Sequence, residues 1–228
     1  MNNKALFWDF DGTLVQPHDT FFFALQEALS TAGCDATAED IRNALVSSLS
    51  WFNPQLTYPE ERGEAWWTRL FRQFAPLYRQ YDITCPETVN EAFRAYILER
   101  PHYKLYDDVH EVLQHYQSAG YRNYILSNNY PELPQAVERL GLSQYFSGYT
   151  VSSLIGYEKP QPEIFRHAMT MAGMPEVCYM MGDNPVADIR GASQNGIPAI
   201  WVHPATDDPC DCAHSICHTL TELLPIIP

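Results

Sequence analysis

Basic residues are scarce in this chain of 228 residues: 14 Lys and Arg stand against 28 Asp and Glu, a formal charge of -14. That sign argues against a nucleic-acid backbone or an anionic membrane surface as the main partner. It leaves room for a small phosphorylated substrate, because a metal ion and a few local cations reverse the field inside one cleft. No stretch approaches the roughly twenty apolar residues that span a bilayer. Residues 1–4 lead straight into a strand pattern, with no room for a removable apolar leader. The expected compartment is therefore the cytoplasm, where the six cysteines stay reduced. Repeats and low-complexity tracts are missing too. Cys210, Cys212 and Cys217 lie near His203, His214 and His218, but their spacing matches no standard zinc pattern. Cys34, Cys85 and Cys178 read as small core or boundary residues. Hydrophobic residues make up 46% of the chain and aromatics 13%, ample for a packed core.

The most informative run is Phe7-Trp8-Asp9-Phe10-Asp11-Gly12-Thr13-Leu14. Side chains at i and i+2 of an extended strand point the same way. Asp9 and Asp11 should therefore share one pocket at the end of a strand over residues 4–10. Two carboxylates that close repel unless a cation sits between them. A hard divalent ion with oxygen ligands answers that repulsion, and Mg²⁺ is the leading candidate. Gly12 permits the sharp exit.

Apolar periodicity predicts helices over 20–32 (Phe21, Phe22, Leu25, Ala28 and Leu29 inward), 37–49 with Thr37 as N-cap, 60–81 interrupted near Pro76, and 87–98. No convincing strand falls between 17 and 100. From residue 106 the texture alternates. Helices are expected over 107–118, 131–140, 162–172, 185–195 and 219–224, with strands over 121–126, 148–152, 177–181 and 197–202, and a strand end at 215–218. The predicted fold class is α/β, a doubly wound parallel sheet (Rossmann-like), with an inserted all-helical domain. Residues 1–16 plus 101–228 would form the core and 17–100 the insert. Sheets of this kind bind ligands at the carboxyl ends of their strands.

Polar groups gather at those ends. Asp9 and Asp11 close the first strand, Ser127 and Asn128 the second. Asp183 and Asn184 follow a later strand, with Asp188 one helical turn on, and Lys159 stands in a loop before a helix. Each alone reads as a turn, cap or surface residue. In series, Asp-x-Asp-Gly-Thr, Ser-Asn, Lys-Pro and Gly-Asp-x-x-x-x-Asp resemble the haloacid dehalogenase superfamily of hydrolases. The match in order and spacing covers nearly the whole chain, and the helical insert resembles the cap of the phosphatase branch, phosphoglycolate phosphatase-like proteins among them.

That resemblance implies roles. Asp9 would be the nucleophile and form an aspartyl-phosphate. Asp11 would protonate the leaving oxygen and then deprotonate water, its backbone carbonyl also binding the metal. Thr13 would support the loop or the phosphate, and Ser127 with the backbone N–H of Asn128 would hold phosphate oxygens. Lys159 would neutralise the phosphate and Asp9. Asp183 would join Asp9 and Asp11 around Mg²⁺, with Asp188 and Asn184 in support. Asn184 departs from the Ser or Thr common there, yet keeps hydrogen-bonding capacity.

The superfamily also holds dehalogenases, but a halide leaves without a proton, so an acid at Asp11 and the metal-side acids Asp183 and Asp188 favour phosphate chemistry. A sugar-phosphate mutase and a non-catalytic binding protein of the same fold are the alternatives. The expected partner is a small phosphorylated metabolite: a sugar phosphate, phosphoglycolate or a nucleoside monophosphate. The insert carries Phe21, Phe22, Phe23, Trp51, Phe52, Trp66, Trp67 and Phe71, most of them expected to build its core. Trp51 or Phe52, in an inter-helix loop, would reach the cleft and favour a ring-bearing leaving group. His18 would meet substrate as the insert closes on connections flanked by Pro17 and Pro101.

Overall fold

Short apolar runs bounded by turn residues build the sheet. In the computed structural model, residues 3–17, 19–50, 53, 55–99, 103–204 and 210–228 are described. Six strands, β1 (Lys4–Trp8), β2 (Arg122–Ser127), β3 (Phe146–Val151), β4 (Val177–Gly182), β5 (Ala199–Val202) and β6 (Ser215–Cys217), pair in parallel in the order β3-β2-β1-β4-β5-β6. The fold is the Rossmann-like α/β sheet expected from the sequence. Covering helices on both faces explain the near-continuous apolar character of the central strands. Alternation divides β1 between two cores: Leu6 and Trp8 face one, Ala5 and Phe7 the other. Helices α6 (Val109–Ser118) and α7 (Leu133–Arg139) cover the first face. On the second lie α9 (Pro162–Met171) and α10 (Gly191–Gln194). A one-turn helix, α8 (Ser152–Ile155), follows β3 directly, where the sequence reading runs the strand on to residue 152.

The chain leaves β1 towards β2 and β3, then crosses back to place β4 on the other side of β1. The crevice at that reversal, above the carboxyl ends of β1, β2 and β4, is where such sheets take ligands.

The described residues between 19 and 99 contain five helices and no strand: α1 (Thr20–Thr31), α2 (Ala38–Leu45), α3 (Glu64–Gln73), α4 (Ala75–Gln80) and α5 (Pro86–Glu99). Thr37 caps α2 in a capping box, its hydroxyl accepting from the Asp40 N–H at 3.1 Å while its own N–H donates to the Asp40 carboxylate. The long pattern over 60–81 breaks at Phe74, because Pro76 fits only the first turn of a new helix. Their apolar faces pack into a third core that includes Phe22, Leu25, Trp66, Trp67, Phe74 and Phe93. Trp51, Phe52, His18 and Pro101 fall outside the described residues.

Two C-terminal expectations change. Residues 185–195 begin as a π-helical turn (Pro185–Arg190), in which the Ile189 N–H reaches the Asn184 carbonyl at 3.2 Å and the Asn184 side chain caps the N–H groups of Val186 and Ala187, both at 2.9 Å. The expected helix over 219–224 is a 3₁₀ turn (Leu220–Leu223).

A buried acid ties the helical layer to the sheet. Glu158, only 1% exposed, accepts from the hydroxyls of Ser50 and Tyr58, both at 2.7 Å. Nearby, the Tyr58 N–H donates to the Gly156 carbonyl at 2.9 Å, and the Gln161 amide donates to the Leu56 carbonyl at 2.7 Å. Gly156 carries φ +85°, and a side chain there would drive into the Pro59 backbone at 2.4 Å. Burial pushes the Glu158 carboxyl upwards in pKa, and the two hydroxyls oppose that. Removing one of them leaves a desolvated acceptor short of a partner. Tyr58→Phe is expected to cost about 2 kcal/mol, lowering Tm by roughly 4–8 °C at this chain length. Thermal melts read this directly, and an unchanged Tm would show that the bond contributes nothing.

Candidate active site

The parallel sheet delivers the predicted residues to one crevice. Asp9 follows β1 and is pinned to β4 by its N–H donating to the Met181 carbonyl at 2.9 Å. Ser127 closes β2, and Asp183 follows β4, its carbonyl accepting from the Trp201 indole of β5 at 2.7 Å. Asp9, Asp11, Ser127, Asn128, Lys159, Asp183 and Asn184 all border a single cavity of about 560 Å³. Thr13, fully buried, sets its hydroxyl 3.5 Å from the Asp183 carboxylate.

Lys159 organises the centre. The chain has three lysines, Lys4, Lys104 and Lys159. This one is 4% exposed, its ammonium 2.8 Å from Asp9 Oδ1 and 2.6 Å from Asp188 Oδ1. Burial alone would lower its pKa, but Asp188 and Asp9 outweigh that and raise it. Its backbone is held by the Asn128 side chain, which accepts from the Lys159 N–H at 2.7 Å and donates to the Lys159 carbonyl at 3.0 Å. Asn128 therefore positions the lysine with its side chain, beyond the backbone role expected of it.

Asp9, Asp183 and Asp188 each bring a carboxylate oxygen within 4.8 Å of the others. Two glycines make this approach possible. Gly12 has φ +79°, and a Cβ on it would sit 2.3 Å from Asp183 Oδ2. A Cβ on Gly182 would meet the Asp188 carboxyl at 2.3 Å. Three acids against one ammonium leave negative charge uncompensated in a desolvated place. Burial first, then the neighbouring Asp9 and Asp188 charges, push Asp183 up to about 8. Burial and Asp9 push Asp188 up to about 7. A hard divalent cation matches this donor set and relieves the same repulsion.

The sequence reading assigns Asp11 to a metal through its backbone carbonyl. Its carboxylate turns to Asn129, accepting from the side-chain amide at 2.6 Å. Asn184, expected in support, caps the π-turn with its amide oxygen, and its backbone N–H donates to Asp188 Oδ2 at 3.0 Å. Sequence reasoning missed Asn129, although it adjoins the Ser127-Asn128 pair. It also missed Glu158, because a charged residue beside a loop lysine reads as solvated. Among the described residues, no cluster of three His, Cys, Asp or Glu side chains other than the Asp9 group is placed to hold a metal. Cys210 and Cys212 face each other with sulfurs 3.2 Å apart.

Residues 3–196 match the family described as haloacid dehalogenase-like hydrolase. The chain belongs to that family. This hydrolase is 37% identical over 121 residues to the phosphoserine phosphatase of Thermus thermophilus, a match spanning 51% of this chain and 48% of that one. It is 27% identical to the (S)-2-haloacid dehalogenase 4A of Burkholderia cepacia, over 98% and 94% of the two chains. Its fold superposes on the crystal structure of the Bacillus subtilis HAD-hydrolase YfnB bound to magnesium, with TM-score 0.72 at 21% identity over 100% and 99% of the chains. The hydrolase thus spans about half the length of the first of these relatives, and both phosphatase and dehalogenase names occur among proteins similar to it. No described helix is long and apolar enough to cross a membrane.

Three outcomes are expected of this centre. A divalent ion must displace the proton that Asp183 retains, so Mg²⁺ affinity falls as pH drops, roughly tenfold per unit below about 8. Without metal the folded state holds a proton that the unfolded chain releases above about 4, so metal-free stability declines as pH rises towards 8. Calorimetric titration at pH 8.5 and 6 checks the first and urea unfolding the second; pH-independent Mg²⁺ affinity would remove these carboxylates from ion binding. Lys159→Met strands Asp9 and Asp188, and is expected to cost about 3 kcal/mol at pH 8 without metal. The cost should shrink at pH 5, where protons replace the ammonium. A loss equal at both pH values in urea unfolding would refute the pairing.

Proposed function

We propose that this hydrolase is a Mg²⁺-dependent phosphatase of small phosphomonoesters that works through an aspartyl-phosphate on Asp9. Residues 17–100 serve as its cap and residues 1–16 with 101–228 as its core. The observation that carries the reading is the excess of acid at the centre: Asp9, Asp183 and Asp188 converge, and among the described residues lining the cavity Lys159 is the one cation opposing them. Dehalogenation needs one carboxylate and no metal-binding excess. Phosphoryl transfer needs cations arranged around three equatorial oxygens.

Asp9 Oδ attacks phosphorus as the ester P–O bond breaks, and the leaving oxygen takes a proton from Asp11. Water then gives a proton back to Asp11 and attacks phosphorus, the Asp9–phosphorus bond breaks, and inorganic phosphate leaves. Asn129 supports this exchange by holding the Asp11 carboxylate in place. Ser127 and the backbone beside Asn128 offer hydrogen bonds to the phosphate oxygens, with Thr13 supporting the loop. Lys159 orients Asp9 through the ion pair between them. Asp9, Asp183 and the Asp11 carbonyl would hold the ion, which when bound supplies charge neutralisation for the phosphoryl oxygens. Asp188 holds Lys159.

Turnover of p-nitrophenyl phosphate with Mg²⁺ is expected. It should vanish on addition of EDTA, fall to background in Asp9→Asn, and drop by about 10²–10⁴ in Asp11→Asn. Halide release from 2-haloacids by the wild-type protein, without phosphate-ester turnover, would reverse the assignment.

A further inference from the structure

The cavity above the carboxylates is also bordered by the helical layer, a part of its wall that the phosphoryl chemistry leaves unused. Helices α1, α3 and α5 wall it with Phe21, Trp67, Leu70, Phe93 and Ile97. Apart from Thr20, every described lining residue between 19 and 99 is apolar or aromatic. One polar group of this wall, the buried Trp66 indole N–H, has no hydrogen-bond partner among the described residues, and an uncharged acceptor on the leaving group could meet it. Other polar groups nearby are committed. The Trp67 indole donates to both Glu132 oxygens at 3.1 Å, and the Tyr103 and Tyr130 hydroxyls bond each other at 2.6 Å. Arg94 sits behind Trp67, already paired with Glu64 and Glu132. Among the described residues lining the cavity, Lys159 is the sole cation, and it lies at the acid end.

This composition bears on the leaving group. A carboxylate placed here, as in phosphoglycolate or phosphoserine, would be desolvated close to Asp9, Asp11 and Asp183 with no second described cation to meet it. A two- or three-carbon fragment would also fill little of about 560 Å³. A planar apolar ring meets neither objection and gains edge and face contacts with Phe21, Trp67 and Phe93. We infer that the site takes phosphate monoesters of uncharged, ring-bearing alcohols, with the ring seated between α1, α3 and α5. The inference rests on the phosphatase reading and adds the substrate class.

The test compares 2-phenylethyl phosphate with phosphoglycolate and glycerol 3-phosphate on the wild-type protein with Mg²⁺. All three release alkyl alcohols, so leaving-group reactivity does not decide the result. Thymidine 5′-monophosphate reports whether a nucleoside ring serves as well as a hydrocarbon one. Burying a ring predicts kcat/KM at least about tenfold higher for 2-phenylethyl phosphate than for either short ester, expressed in KM. Phe21→Ala should erode that ratio by raising KM for the aromatic ester, and Phe21→Leu should restore part of it. A ratio near or below one, with acetyl phosphate still hydrolysed, overturns the ring site and leaves the phosphatase intact. If no phosphate compound turns over, the phosphatase reading fails. Calorimetry with the Mg²⁺-loaded protein then decides the ring site: tighter binding of 2-phenylethyl phosphate than of phosphoglycolate supports it, and equal or weaker binding overturns it.

Discussion

One buried ammonium surrounded by too many carboxylates constrains the rest of this molecule. Lys159 bridges Asp9, from the end of the first strand, and Asp188, from the turn after the fourth. Those groups are 150 and 29 residues away in sequence, so only a parallel sheet with adjacent central strands brings them together. Burying ions is costly unless partners and hydrogen bonds surround them. The surrounding structure supplies these: Asn128 clasps the lysine backbone, Asn184 N–H holds Asp188, and glycines at 12 and 182 remove the side chains that would keep the acids apart. The remaining negative charge is what makes the centre receptive to a cation.

The loop that carries Lys159 is also where the helical layer meets the sheet. Glu158 anchors Ser50 and Tyr58, and Gln161 anchors Leu56, within three residues on either side of the lysine. Geometry at the charged centre and seating of the helices are thus properties of one short segment. On its other side the helical layer offers the crevice an aromatic wall, held by Trp67 and Arg94 reaching Glu132 beside α7. An acid-rich floor and an apolar roof enclose the same space, which is how a phosphoryl end and an organic end of one molecule could be received differently.

Much of this was legible in the residues. Short apolar runs ending in Asp, Ser or Gly-Asp marked β1, β2 and β4 together with their functional ends, because parallel strands buried on both faces leave polar residues only where they stop. The Thr37 cap and the break near Pro76 were equally visible, being local events. Harder to see were Glu158 and Asn129, whose roles depend on partners 108 and 118 residues distant. The partners of Asn184 were not legible either, because an amide that caps a turn and one that supports a neighbouring acid look alike in sequence. The aromatic count of the insert showed a core, but not that Phe21, Trp67 and Phe93 would do double service at the cavity wall.

Local chemistry by itself determined the strand ends, the caps and the family pattern, since each follows from side-chain types within a few residues of one another. Tertiary structure alone decided which acids share a space, which amide serves which partner, and what the helical layer turns towards the crevice. The reason is physical. Charge repulsion, burial and hydrogen-bond pairing act across angstroms in space, and the chain order of residues 9, 158, 159, 183 and 188 carries no record of those distances until the sheet assembles.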